Sequence, residues 1–158
     1  MARRAAADIS GTIAKEGARR CLVVGDAGAW SRTWTAARVE QFAELGGDDN
    51  PVHTDPAFAA TTQFGRPIVH GMLYGSMFGT IFGATIPGSI YVSQNFRFKR
   101  PVFVGERVTA LVEVTHVKPL GKRGALATCS TTITTEGGIA MEGTAAVLLP
   151  TPPVEEER

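Results

Sequence analysis

The sequence predicts an α+β domain in which an antiparallel sheet covers one long apolar helix. Between residues 67 and 96 the only potentially charged side chain is His70. After Gly88 the apolar periodicity changes from helical to two, and four segments have the composition of strands. A helix that is apolar on all sides must be surrounded by protein, so these strands are expected to cover it.

Length and composition suit one domain and exclude several classes of protein. The chain has 158 residues, 44% hydrophobic and 20% charged, and at this size roughly 70% of the unfolded surface can be removed from water. A net charge of +1 provides no field to hold a nucleic acid. Cys21 and Cys129 have no CxxC spacing, which argues against a thiolate metal site and a redox dithiol.

The ends of the chain differ from its middle. Residues 1–30 are expected to form an N-terminal arm and residues 151–158 a C-terminal tail, on either side of a domain over residues 31–150. The arm has no apolar segment of the kind that a secretory signal needs. Its Ala and Arg content is compatible with an organellar transit segment as well as with a solvated N-terminal arm. The expected compartment is therefore the cytoplasm or the mitochondrial matrix.

Three helices are predicted in the first half. Thr35 is a suitable N-cap for a helix over residues 36–45, which a pair of glycines ends. Asp55 is the expected cap of a second, short helix that begins at Pro56. The central helix over residues 71–86 ends at a Pro-Gly pair, which makes it shorter than the roughly 20 residues of a membrane span. No membrane span is expected.

Four strands are predicted in the second half. Side chains over residues 89–99 are predicted to alternate between two faces, one of which carries Ile90, Val92, Gln94, Phe96 and Phe98. Residues 107–118 are dense in Val and Thr. A turn over residues 119–124 leads to strands near residues 125–135 and 139–149. The short connections between them indicate antiparallel pairing.

Chemistry concentrates between the two shorter helices. Asp48 and His53 are five positions apart with Pro51 between them, so from a loop they can converge on one water molecule. An aspartate and a histidine are suited to general acid–base catalysis near neutral pH. The neighbouring Asp49 and Asp55 are explained by a turn and by a helix cap.

A second group of residues precedes the central helix. Gly71 lets a backbone N–H come close to a ligand, and the helix after it directs the positive end of its dipole to the same place. Such a helix start can stabilise a carbonyl oxygen that becomes negative during a reaction. For His70 we favour the simpler interpretation, that it satisfies buried backbone groups.

These segments resemble the MaoC-like (R)-specific enoyl-thioester hydratases of the hotdog fold. The resemblance rests on DDNPVHTDPAFAA from Asp48, FGRPIVHGML from Phe64, YVSQNF from Tyr91 and FKRPVFVGE from Phe98. It spans about residues 34–150. It implies a sheet wrapped around the central helix, a homodimer that joins open sheet edges, and no metal or redox cofactor.

The resemblance also implies an activity and the residues that perform it. In that family the residues matching Asp48 and His53 hold the catalytic water, and the glycine matching Gly71 donates its N–H to the thioester carbonyl. The implied reaction is reversible hydration of a trans-2-enoyl thioester of CoA or acyl carrier protein to the (R)-3-hydroxyacyl thioester. Either Asp48 or His53 could deliver the proton to C2. Basic residues over residues 97–100 could meet the phosphates of either carrier.

The acyl chain is expected to run along the central helix beyond Gly71. The residues expected beside it are Met72, Ser76, Gly79 and Phe82. Gly79 would leave room for a longer chain; the alternative is that it only permits helix–sheet packing. Phe82 would close the floor of the pocket.

Three alternatives stay open. His53, Asp55 and His70 are the residue set of a two-histidine, one-carboxylate iron site, although Asp55 is better used as a helix cap. The second alternative is a non-catalytic acyl-thioester-binding module on the same fold. The presence of both Asp48 and His53 argues against it. A thioesterase on this fold would release a free thiol, which hydration does not.

Overall fold

The structure is a computed structural model that describes residues 8–16 and 21–151. The predicted tail lies outside these residues apart from Thr151, and so do residues 1–7 and 17–20 of the predicted arm. No helix in the described ranges is long and apolar enough to cross a membrane.

The architecture is a six-stranded antiparallel sheet with one face on a central helix. The elements in chain order are β1 (Ser10–Gly11), α1 (Thr12–Glu16), β2 (Ala27–Thr33), α2 (Ala36–Gly46), α3 (Pro51–Thr54), α4 (Pro56–Ala60), α5 (Gly71–Thr85), β3 (Ile90–Phe98), β4 (Arg107–Pro119), β5 (Ala125–Thr135) and β6 (Gly138–Leu149). The strand order is β1-β2-β4-β5-β6-β3. Helix α5 contacts β2, β3, β4 and β5. The predicted hotdog architecture is confirmed.

Buried and more exposed side chains alternate along much of β4 and β5, and the buried ones form part of the core. The buried inward side chains of β4 and β5 are Val108, Ala110, Val112, Val114, Ala127, Cys129, Thr131 and Ile133. They cover the side of α5 that carries Met77 and Ile81, both fully buried. On the other side of α5, Met72, Ser76 and Gly83 are exposed. The helix predicted to be enclosed on every side is thus open along one face in the single chain.

Part of the predicted N-terminal arm belongs to the core. Strand β2 pairs with β4 from Ala27 opposite Glu113 to Thr33 opposite Arg107, and the side chain of Ile13 is fully buried. The predicted boundary between residues 30 and 31 therefore falls inside a strand. The strand was not predicted because its sequence, AGAWSRT, is rich in small residues with low β-propensity.

Strand β3 departs from its predicted alternation. The residues predicted to share one face were Ile90, Val92, Gln94, Phe96 and Phe98. A bulge between Tyr91 and Ser93 shifts the pairing with β6. Tyr91 packs against the core as a result, whereas the side chain of Val92 is 58% exposed.

The predicted helix starts are confirmed, but the two caps differ. Asp55 accepts hydrogen bonds from two backbone N–H groups of α4, at 2.8 and 3.1 Å, which makes it the predicted side-chain cap. Thr35 precedes α2 as predicted, yet its side chain makes no cap hydrogen bond. Its carbonyl oxygen instead accepts from the N–H of Arg38 and Val39.

Candidate active site

His53 lies on the short helix α3 and not in the loop that the sequence predicted. Pro51 begins this helix, and the side chain of Asn50 accepts a hydrogen bond from the N–H of Val52 at 3.2 Å. An Asn cap followed by proline is a favourable helix start because proline has no N–H to satisfy. The cap and the proline thus fix the backbone that carries the half-buried His53.

A backbone contact sets the tautomer of His53. Its Nδ1 lies 2.8 Å from the carbonyl oxygen of Ile68. Because a carbonyl oxygen only accepts, Nδ1 carries the hydrogen in this bond. The neutral ring then has its basic lone pair on Nε2.

Asp48 lies in the exposed segment between α2 and α3. The N–H of Asn50 donates to its Oδ1 at 3.4 Å, and its own carbonyl oxygen accepts from His70 Nε2 at 3.0 Å. A carboxylate oxygen of Asp48 and one ring nitrogen each of His53 and His70 all lie within 4.8 Å of one another. The structure therefore brings the predicted Asp48 and His53 together and adds His70 to them.

His70 lies behind this pair. Its side chain is 2% exposed, and its ring stacks on that of His53 with the centroids 3.8 Å apart and the planes 30° apart. The ring of Phe42 packs against the ring of His70, with the two centroids 5.1 Å apart. Burial is the main cause that lowers the pKa of His70, against a smaller raising effect of its bond to the Asp48 carbonyl. The ring is therefore neutral at neutral pH.

Gly71 begins α5 and has no space for a side chain. A Cβ atom there would lie 2.5 Å from the ring of Phe98. As the first residue of the helix, Gly71 has an N–H without an intrahelical acceptor, at the positive end of the helix dipole. This amide can donate to a ligand oxygen, as the sequence predicted.

A cavity of about 470 Å³ opens beside these groups. Its lining comprises His53, Phe64, Ile68, Val69, Gly71, Met72, Tyr74, Phe98, Lys99, Arg100, Pro101 and Val102. Lys99 is paired with Glu142 at 2.8 Å. Burial raises the pKa of Tyr74 to about 12, so its phenol stays neutral. The aromatic wall of Phe64, Tyr74 and Phe98 was not predicted as part of the site, although the motifs that carry the resemblance contain two of these residues.

The residues predicted to line the acyl chain are not all together. Met72 lines the cavity, and Ser76 follows it on the open face of α5, with Gly79 partly exposed one turn farther. Nothing lies within 4 Å of a Cβ built at Gly79, so helix–sheet packing does not require glycine there in the single chain. Phe82 lies in the core, 1% exposed, with its ring against Tyr91.

The iron site considered as an alternative is not assembled in its predicted form. Asp55 is occupied as the cap of α4, and the carboxylate close to the two histidines is that of Asp48. The free nitrogens of His53 and His70 belong to stacked rings, whose centroids are 3.8 Å apart and whose planes are 30° apart. An ion at about 2.1 Å from both would lie outside the plane of at least one ring. The arrangement suits proton transfer better than metal binding.

Comparison with known proteins identifies relatives over most of the chain. Residues 27–136 match the family described as MaoC like domain. The chain is 51% identical over 132 residues to the (R)-specific enoyl-CoA hydratase of Aeromonas caviae, across 82% of this chain and 96% of that protein. It is 36% identical over 92 residues to the mitochondrial 3-hydroxyacyl-[acyl-carrier-protein] dehydratase of Arabidopsis thaliana, across 58% of this chain and 55% of that protein.

A solved structure agrees with these relatives. The (R)-hydratase from A. caviae involved in PHA biosynthesis superposes with a TM-score of 0.76 at 51% identity, covering 82% of this chain and 98% of that chain. The match of fold and sequence confirms the resemblance predicted from the motifs. The chain belongs to the family of MaoC-like domains.

Proposed function

We propose that the protein reversibly hydrates trans-2-enoyl thioesters of CoA or acyl carrier protein to (R)-3-hydroxyacyl thioesters. The observation that carries the proposal is the grouping of a carboxylate, a basic imidazole and a helix-start amide. A carboxylate oxygen of Asp48 and a ring nitrogen of His53 lie within 4.8 Å of each other, and His53 shares a cavity wall with Gly71. The hydratase and dehydratase relatives support the choice of substrate.

The chemistry follows from the polarity of the substrate. The carbonyl of an enoyl thioester withdraws electrons from C3, so the oxygen of water can bond there. His53 Nε2 takes a proton from that water while the Asp48 carboxylate orients it. The electrons of the C2–C3 double bond pass to the carbonyl oxygen, where the Gly71 N–H stabilises the negative charge. A proton returned to C2 by Asp48 or by the protonated His53 completes the addition, and the reverse sequence expels water.

Two cations line the cavity where the phosphate of the carrier could bind, and one of them, Lys99, is paired with Glu142. Lys99 and Arg100 are on the wall of the same cavity. CoA and acyl carrier protein both present the thioester on a phosphopantetheine arm, and a phosphate accepts charge-assisted hydrogen bonds from such cations. The acyl chain would run from Gly71 past Met72 along the open face of α5 toward Gly79.

We also propose that the protein acts as a homodimer. Among the described strands, β3 pairs with β6 alone and has a free edge. Ile90 and Val92 on this strand are each 58% exposed, Phe98 is 51% exposed, and Met72 on the neighbouring face of α5 is 60% exposed. A second copy placed against this edge would cover the apolar side chains and close the sheet edge.

Two measurements on one reaction mixture test the proposed activity. With crotonyl-CoA and trans-2-decenoyl-CoA, the absorbance of the conjugated thioester is expected to fall without release of free thiol. Stoichiometric thiol release would assign the protein as a thioesterase instead. Binding of both thioesters without any change of absorbance or thiol would assign it as a non-catalytic binding module.

A further inference from the structure

The buried His70 connects three parts of the chain that the proposed reaction requires to be close. It donates a hydrogen bond to Asp48, stacks on the ring of His53, and directly precedes Gly71. The simpler interpretation, that it satisfies a buried backbone group, describes only the first of these contacts.

The hydrogen bond spans 22 positions of sequence. His70 Nε2 lies 3.0 Å from the carbonyl oxygen of Asp48, so Nε2 carries the hydrogen. Its Nδ1 is buried and has no hydrogen-bond partner among the described residues. An aromatic ring without nitrogen would fill the same space without burying an unpaired acceptor, so packing alone does not account for an imidazole here.

The ring of His53 and the first turn of α5 both contact His70. The face of His70 supports His53, whose other constraint is the bond from Nδ1 to the Ile68 carbonyl. The carbonyl oxygen of His70 accepts from the N–H of Leu73 at 3.0 Å and so closes the first turn of α5, in which Gly71 lies. One residue therefore bears on the position of the carboxylate, the base and the amide.

We propose that His70 is a positioning residue, which sets the Asp48 backbone and the His53 ring relative to Gly71 through its Nε2–H bond and its stacked face. The inference rests on the proposed hydratase function. His70 takes no proton from the substrate or water in this scheme. Its loss misplaces groups that must share one water molecule, and displacements of about 1 Å commonly cost about a hundredfold in rate.

Kinetics of two variants test this role. His70→Phe keeps an aromatic face against His53 but removes the donor, whereas His70→Gln keeps an N–H that can reach the Asp48 carbonyl. We expect His70→Phe to lower kcat about ten- to a hundredfold with KM within about threefold of wild type, since the substrate-binding cavity is unchanged. We expect His70→Gln, which keeps a donor but not the stacked ring, to recover part of the loss. His116→Gln is the matched control on an exposed histidine of β4 and is expected to keep the wild-type kcat.

Two kinetic outcomes would overturn the proposal. One is a wild-type kcat in folded His70→Phe. The other is an equal loss of kcat in His70→Phe and His70→Gln, because rescue by a retained donor is what separates positioning from space filling. Melting temperatures measured beside the rates distinguish a lower kcat from a smaller folded fraction.

A substrate-free measurement on the wild-type protein keeps the test independent of the proposed activity. The chain has three histidines, so nitrogen-15 spectra of the wild-type imidazoles can be assigned with single variants. His70 is expected as the neutral Nε2–H tautomer at pH 7.5, and an Nδ1–H tautomer would overturn the proposal. A wild-type protein that shows the expected tautomer but does not hydrate enoyl thioesters would contradict the proposed function and leave the contact itself intact.

Discussion

The Nδ1 atom of His53 donates a hydrogen bond to the carbonyl oxygen of Ile68 across 2.8 Å. This bond gives the neutral imidazole a single basic nitrogen, Nε2, and orients the ring that lines the cavity. The backbone contact thus determines which atom can take a proton from water.

Replacing His53 by asparagine tests the basic nitrogen separately from the backbone hydrogen bond that orients the ring. The asparagine amide can still donate to the Ile68 carbonyl, but it has no basic nitrogen. We expect His53→Asn to lower kcat by about 10²–10⁴-fold, the size of a lost general base, with a melting temperature close to wild type. Turnover near the wild-type rate would remove His53 from the mechanism.

Asp48→Asn tests the carboxylate. The backbone of Asp48 is held through its carbonyl by His70, while its side chain is exposed, so the fold is expected to survive the change. We expect kcat to fall by about 10²–10⁴-fold. Asp49→Asn, one position along the same exposed segment, is the matched control and should retain the wild-type kcat. Equal effects of the two variants would contradict a specific role for Asp48.

The Asp48–His53 pair could be predicted because its determinants are local. Five positions separate the residues, and a proline and an asparagine cap between them fix the turn. The cap at Asp55 was predicted for the same reason, since the bonds run only two and three residues along the chain. Short-range hydrogen bonds leave a recognisable order of residue types in the sequence.

The sequence predicted that His70 bonds a backbone group. It could not predict which group, nor the stacking on His53, because tertiary packing creates these contacts. Asp48 is 22 positions away, and no local pattern states that the two segments meet. The face of α5 that the sheet covers was hidden in the same way, because a helix apolar all round has no periodicity that distinguishes one face. The structure accordingly places Phe82 in the core, away from the exposed Ser76.

The open position at Gly79 predicts a dependence on chain length. A serine there meets no atom within 4 Å at its Cβ, so folding should be unaffected. We expect Gly79→Ser to lower kcat/KM for decenoyl-CoA while sparing crotonyl-CoA, because added volume obstructs only a chain that reaches it. A uniform loss over a series of chain lengths would show that Gly79 does not bound the acyl site.

The free edge of β3 predicts the oligomeric state. Wild-type protein at micromolar concentration is expected to have the mass of a dimer by light scattering. Val92→Lys places a charge on the exposed apolar edge and should shift the mass toward the monomer. Ile139→Lys, at a residue 47% exposed on β6, is the control and should leave the dimer intact. A fully active wild-type monomer would contradict the proposed interface.

Burial of His70 predicts a loss of stability in mild acid. Its pKa is lowered in the folded protein, mainly by burial, so below about pH 6.5 the unfolded chain binds a proton that the folded chain does not. The free energy of unfolding should therefore fall as the pH decreases from 6.5 toward the lowered pKa of His70. Urea denaturation at several pH values should show a shallower fall for His70→Gln than for wild type. The same slope in both would assign the acid sensitivity to other groups.

The position of oxygen from labelled water in the product tests the central claim most directly. Crotonyl-CoA is incubated with the protein in water labelled with oxygen-18, and the product is analysed by mass spectrometry and chiral chromatography. Addition of water held by Asp48 and His53 predicts (R)-3-hydroxybutyryl-CoA with the label on C3. An (S) product, a label found only in a released carboxylate, or unchanged crotonyl-CoA would contradict it.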